Sequence, residues 1–312
     1  MSNLAYRTET PQVSAQFINS NFVRKLDEGR TKEAEAEASA FIRQKIRQES
    51  FFREVIHPVL LGDDELDRDE HTDQPKKIVD KEPDSRATFV PFHGTGPRTW
   101  FRGKRFAVYF GKTESEHFTK SKFELMTYRT DIRKVLSDNA VKDMSDQEDQ
   151  KATDTVNAIL AENPTQIIAA PAFVSTAFRR GFQAMVDRKQ PIGKMLMTKS
   201  LYYEAIDLPA TSVGNDVASR HYDDGIEAEE KLWGIPVVST IKNEIVNGAE
   251  GDRRSAYIYA PENYLGCFFL LQDATLFIKQ EADIIEMWSY AAPGIGFGND
   301  RAIQRVDFPP AL

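Results

Sequence analysis

Several stretches of this sequence bring together residue types that could do chemistry. Gly294-Ile-Gly-Phe-Gly298 has the glycine density of a nucleotide-binding turn. A dinucleotide fingerprint must follow a strand, open a helix and be trailed by an acidic residue ~20 positions on. Here Asn299-Asp-Arg301 and a β-type pattern follow instead, so a strand-to-strand turn is the expectation. The acidic run from Gly62 to Gln74 could hold calcium, but an EF-hand loop needs glycine at its sixth position and glutamate at its twelfth. Neither fits a frame starting at Asp63, Asp64, Asp67 or Asp69. His221, beside Tyr222-Asp-Asp224, could serve acid–base work and reads more simply as loop decoration. The other histidines, His57, His71, His93 and His117, are dispersed, and none forms a metal-ligating pair.

The single cysteine, Cys267, excludes an internal disulfide framework and a cysteine-based zinc cluster. In its apolar run, Leu265 to Leu271, it reads as a small buried hydrophobe. The chain has no Walker loop and no Gly-x-Ser-x-Gly elbow. No catalytic, cofactor-binding or metal-binding residue is therefore assigned, and an enzyme is not expected.

One constellation remains. Arg98, Arg102, Lys104 and Arg105 form a basic cluster among Trp100, Phe101 and Phe106, which could stack single-stranded nucleic acid. The chain's formal charge of −8 speaks against a sequence-reading DNA binder. Asp63, Asp64, Glu65, Asp67, Asp69 and Glu70 offer a complementary acidic strip. The favoured reading is a basic surface on one copy meeting the acidic strip on the next. Reversing Arg102 and Lys104 to glutamate should then block assembly and leave the subunit folded.

The elements that must position these residues follow from pattern. With 312 residues, 41% of them hydrophobic, the chain can bury one large core or two modest ones. It has no run of ~20 apolar residues to span a membrane and no signal-peptide core near Met1, so folding in a reducing cytoplasm is expected. Residues 1–27 read as an extended arm. Gly29 to Gln48 reads as a helix, with Ala38, Ile42 and Ile46 as its apolar stripe. Lys77–Asp80, Thr88–Phe92 and Thr99–Phe110 carry β chemistry around the turn His93-Gly-Thr-Gly-Pro97, predicting a long β-hairpin with arms of ~12–15 residues. Thr130 to Asn163 reads as one long helix, wet or broken at Ser145–Gln150. From residue 165 a mixed α/β unit follows, with a helix over Ala172–Lys189 and strands at 166–170, 193–198, 232–239 and 255–261. The last fifty residues are strand-rich, at Cys267–Leu271, Ala274–Lys279, Ala282–Tyr290 and Ala302–Phe308. Arm and hairpin both lack cover within the chain, which points to neighbouring copies.

In this order the sequence resembles the major capsid proteins of tailed double-stranded DNA bacteriophages, the Hong Kong 97-type fold. The resemblance is carried by Asp73-Gln-Pro-Lys-Lys-Ile-Val-Asp-Lys-Glu-Pro-Asp84 with the hairpin through Phe110, by the helix of Thr130–Asn163, by Leu232-Trp-Gly-Ile-Pro-Val-Val238, and by Glu281–Tyr290 with Gly294–Asn299. It implies an α+β fold with an N-terminal arm and helix (1–50) and an extended β-hairpin loop (51–115). It further implies a peripheral domain with a spine helix (116–164 and 266–290) and a mixed α/β axial domain (165–265 and 291–312). It also implies hexamers and pentamers tiling an icosahedral head shell around genomic DNA bound without sequence specificity. Scaffold, portal and decoration proteins are the partners it implies, with no membrane and no cofactor; the setting is the virion, reached through the host cytoplasm. An encapsulin-type nanocompartment is the alternative within the fold, and a soluble α/β enzyme the alternative outside it.

Overall fold

The computed structural model describes residues 15–67, 74–81, 88–98, 103–127, 132–136, 140–206, 231–248 and 253–310. Contacts divide the chain into two units, each with its own core.

The first unit draws on residues 1–50, 112–148 and 272–292. Helix α1 (Ala15–Asp27) replaces the extended arm expected there. Ile18, Phe22, Val23 and Leu26 recur at helical spacing and bury one face, a signal masked by the polar residues between them. Asn19, fully buried, ties this helix in. Its amide donates to the carbonyl of Leu125 (3.1 Å), and its side-chain oxygen accepts from the amide of Ile132 (2.9 Å). Those backbone groups belong to α4 (Lys122–Thr127) and to the first residue of α5 (Ile132–Leu136), so one side chain satisfies orphan groups of two helix ends.

Helix α2 (Thr31–Glu49) forms as expected, burying Ala34, Ile42 and Ile46. Its flank protects the edge of β11 (Cys267–Glu281). The amides of Ile278 and Leu276 donate to Glu35 (3.0 Å) and Ser39 (2.9 Å), and Arg43 donates to the carbonyl of Ala274 (2.8 Å). Four helical residues rise ~6 Å and two strand residues ~6.7 Å, so side chains spaced by four match strand positions spaced by two. A helix thereby occupies hydrogen-bonding groups that a further strand would otherwise use. The two terminal strand segments expected at 267–271 and 274–279 are one continuous strand, because Gln272-Asp273 does not break the pairing with β12 (Ile284–Gly296). Strands β4 (Thr113–Glu114) and β5 (Phe118–Ser121) pair antiparallel with β12.

The expected single helix over 130–163 is instead α5 and then α6 (Lys142–Glu162), separated by undescribed residues and a wide turn at Ala140–Val141. The polar stretch 145–150 does not break the helix, and only part of it is wet, with Gln147 exposed. Ser145, Glu148 and Asp149 are buried.

The second unit draws on residues 51–111, 149–271 and 293–312, so by contacts the hairpin and the C-terminal part of α6 group here. Its six-stranded mixed sheet has the order β6-β13-β10-β7-β9-β8, from Ile167–Ala169, Ile303–Phe308, Arg254–Tyr259, Lys194–Thr198, Ile235–Thr240 and Lys231–Leu232. Helix α7 (Ser175–Asp187) packs on it through Phe178, Gly181 and Met185. Leu232-Trp-Gly-Ile235 is a two-residue hairpin with φ of 51° at Trp233 and 78° at Gly234, the left-handed pair that a type I′ turn requires. The bulky Trp233 is held in that strained conformation by rings of Phe178 (5.2 Å) and Phe182 (5.8 Å). Cys267 is half-buried, which pushes its thiol pKa up.

Asp149 explains why the polar stretch is helical and partly buried. One oxygen accepts from the amide of Phe52 (3.1 Å), at the start of α3 (Phe52–Val55), and the other meets the Lys242 ammonium (2.6 Å). Lys242 also lies over the Phe51 ring, 5.8 Å from its centroid. Breaking one side of a buried pair leaves an uncompensated charge. Asp149→Asn should therefore lower the unfolding free energy of the subunit by about 3 kcal/mol in urea titration.

Candidate assembly surface

The hairpin pairs β2 (Lys76–Lys81) with β3 (Lys104–Tyr109) in antiparallel register, Lys76 opposite Tyr109 and Lys81 opposite Lys104. The ladder is shorter than expected. Residues 88–98 carry no strand, so the candidate strand Thr88–Phe92 is corrected to an exposed irregular segment. Pro91 removes a ladder donor there, and the glycines at 94 and 96 favour turns.

The foot of the hairpin is seated on its own chain. Phe106, Val108 and Phe110 alternate along β3 and its end, facing Gly298, Gly296 and Gly294. A Cβ at Gly294 would come within 2.8 Å of the Phe110 ring, and one at Gly298 within 2.9 Å of the Phe106 ring. A Cβ at Gly296 would collide with Val108. The glycines are thus present for close approach rather than for a left-handed backbone. This corrects the expected strand-to-strand turn: Gly294 and Gly296 lie inside β12. The chain bends only at Gly298. The root is stitched further by Phe110 amide to Pro75 carbonyl (3.1 Å), Gln74 to Phe110 carbonyl (3.1 Å) and Gly111 amide to Pro293 carbonyl (3.2 Å).

The acidic strip is partly spent on the same root. The amide of Asp67 donates to the carbonyl of Lys76 (3.0 Å), and its carboxylate accepts from Ile78 (2.6 Å). Glu65 accepts from the amide of Gly62 (3.2 Å), closing its own turn, and its carbonyl takes the Lys77 ammonium (2.6 Å). These two acids therefore serve their own chain. Asp64 is exposed; the side chain of Asp63, and Asp69 and Glu70, lie outside the described residues, as do Arg102, Trp100, Phe101, His71 and His221.

On the basic side, Arg105 pairs across the ladder with Asp80 (2.7 Å), both largely exposed, so the contact adds little stability. Arg98 and Lys104 are exposed. The segment between the strands shows a feature that sequence reading missed: Phe89 and Phe92 are each 99% exposed. Burying one phenylalanine side chain gains roughly 1.5–3 kcal/mol. Two such rings on the same exposed segment as Arg98 give it apolar and basic side chains suited to a partner. The clue was available, since Pro91 between them already argued against a covered strand. Among the described residues no group of His, Cys, Asp or Glu could hold a metal ion, and no helix is long and apolar enough to cross a membrane.

No family model and no curated protein matches the sequence. Solved structures do. The bacteriophage PhiM1 mature capsid subunit aligns with a TM-score of 0.56 at 11% identity, over 85% of this chain and 88% of that one. The Gordonia phage Cozz chain aligns at 0.55 and 12%, over 85% and 87%. The virus-like particle from Pyrococcus furiosus aligns at 0.53 and 12%, over 87% and 98%. The chain thus has the Hong Kong 97-type α+β fold that its sequence resembles.

The glycine seat makes a direct prediction. Gly296→Ala should destabilise the subunit by about 1–2 kcal/mol through overpacking against Val108, with Gly296→Val worse. Limited proteolysis should then cut the hairpin faster. Gly96→Ala, whose added carbon would meet only Val90 at 3.9 Å, should change neither thermal unfolding nor cleavage.

Proposed function

We propose that this protein is the major capsid protein of a tailed double-stranded DNA phage, self-assembling through hexamers and pentamers into an icosahedral head shell. The observation that carries the reading is the fold shared over most of the chain with the PhiM1 capsid subunit, together with a hairpin whose foot is seated and whose far segment is bare. A second copy is the occupant of that bare surface: Phe89 and Phe92 supply apolar area, and Arg98 and Lys104 steer toward an acidic neighbour. With Glu65 and Asp67 engaged at their own root, Asp63, Asp64, Asp69 and Glu70 are the members of the acidic strip left to that role.

The role is structural rather than enzymatic. The net charge of −8 suits a wall that encloses DNA without binding its sequence. Scaffold, portal and decoration proteins are the further partners of this reading, and assembly takes place in the host cytoplasm before the subunit resides in the virion head. The second reading is a cargo-holding nanocompartment, favoured by the alignment that covers 98% of the virus-like particle chain from Pyrococcus furiosus.

Purified protein examined by size-exclusion chromatography and electron microscopy should yield capsomers or closed shells. Combining Phe89→Ser and Phe92→Ser with Arg98→Glu and Lys104→Glu should leave a folded subunit, by circular dichroism, that no longer assembles. A wild-type chain that stays monomeric at high concentration, or normal particles from the variant, would overturn the proposal. Shells that capture a cargo peptide and package no genome would decide for the nanocompartment.

A further inference from the structure

The β11–β12 pair buries Ala274, Leu276, Ile278, Ile285 and Met287 on one face. The alternating positions on the other face carry a column of near-parallel rings. His117 stacks on Trp288 (centroids 4.8 Å, planes 4° apart), Trp288 on Phe277 (5.9 Å, 21°) and Phe277 on Tyr290 (5.0 Å, 3°), with the Lys112 ammonium 4.7 Å over Tyr290. Both ring nitrogens of His117 face carboxylates. Nδ1 lies 2.9 Å from Glu286 on β12, and Nε2 lies 3.4 Å from Glu114 on β4, whose other oxygen meets Lys112 (2.9 Å).

A neutral imidazole carries one N–H and can donate to only one of these carboxylates; an imidazolium donates to both. Strand β4 is also held through the pairs Tyr290–Glu114 and Ala291–Thr113 and the bonds of Ser115 with Ser289 (2.8 and 2.9 Å). We propose that His117 is a proton-operated clasp, whose imidazolium ties β4 to β12 through Glu114 and Glu286 and whose neutral form lets one of them go. Since β4 is the next element after the hairpin in sequence, the clasp fixes the segment into which the hairpin's return strand runs.

The charged groups around the ring agree with this. Lys112, Glu114 and Glu116 stand on β4 and its continuation, and Glu286 on β12. On β11, Lys279 and Glu281 pair with each other (2.6 Å). On β5, Lys120 stands in register with Ile285, on the face of the core. The hydrogen bond to Glu286, and after it that to Glu114, holds the His117 pKa above its ordinary value despite partial desolvation. The hydrogen bond from Lys112 chiefly keeps Glu114 ionised below the usual carboxylate range. The clasp is therefore complete below the ordinary histidine pKa and is lost as pH rises through the raised one.

The test follows the histidine Cε1–H resonances of the full chain by NMR across pH, with the His117 signal identified by its loss in His117→Gln. Amide exchange of residues 112–118 is measured by mass spectrometry over the same range, corrected for intrinsic rates. His117 should titrate above the ordinary histidine value, and protection of 112–118 should fall about threefold across its midpoint. In Glu286→Gln both the midpoint and the fall should move to lower pH, which also identifies the signal if His117→Gln does not fold. An ordinary midpoint, protection indifferent to the titration, or a fall that stays in place in Glu286→Gln would each overturn the clasp.

Discussion

The hairpin can stand only because a run whose facing side is glycine alone lies beneath its foot. A two-stranded ribbon is marginal in water, and the six-residue strands here do not stabilise it alone. What does is the row Gly294, Gly296, Gly298, where the missing Cβ atoms leave a trough that Phe110, Val108 and Phe106 fill. Dense packing of this kind tolerates no added methyl group without displacement. The trough anchors one end of the ribbon and leaves Phe89 and Phe92 at the other end wholly in solvent. The assembly argument rests on that contrast between a satisfied foot and an unsatisfied far segment.

The same economy governs strand edges in each unit. In the first, Glu35, Ser39 and Arg43 of α2 take the backbone groups of β11 that would otherwise invite a foreign strand. In the second, Asp67 bridges to Lys76 and bonds Ile78, covering the root of β2. Edges are blocked close to the cores, while Phe89 and Phe92 stand open on a loop with prolines and glycines. Such a loop offers side chains to a partner without offering a ladder for indiscriminate strand addition.

Much of this was legible from period and composition. Helix α2 announced itself by Ala38, Ile42 and Ile46 at four-residue spacing, and β3 by alternation of Phe106, Val108 and Phe110. The resemblance of motifs in chain order led to the fold that the structural comparisons bear out. The misreadings share a cause. Helix α1, the buried Asp149 and the glycine row were each judged by residue type alone, as an extended arm, as part of a wet or broken stretch of helix, and as a strand-to-strand turn. Each is defined by what lies against it: Leu125 and Ile132 at Asn19, Lys242 and Phe52 at Asp149, and the β3 side chains at the glycines.

Local pattern by itself marked helix α2, strand β3 and most strands of the second unit, and it placed a ribbon near residues 76–112 without the glycine row that seats its foot. Backbone propensity and hydrophobic period act within a few residues and are written along the chain. Only the tertiary structure decided which charges are spent internally and which remain available, so that Glu65 and Asp67 serve the hairpin root while Arg98 and Lys104 stay exposed. It also decided that His117 stands between two carboxylates, one of them 169 positions away. Such pairings follow from strand register and side-chain direction, and those are settled by packing between segments distant in sequence.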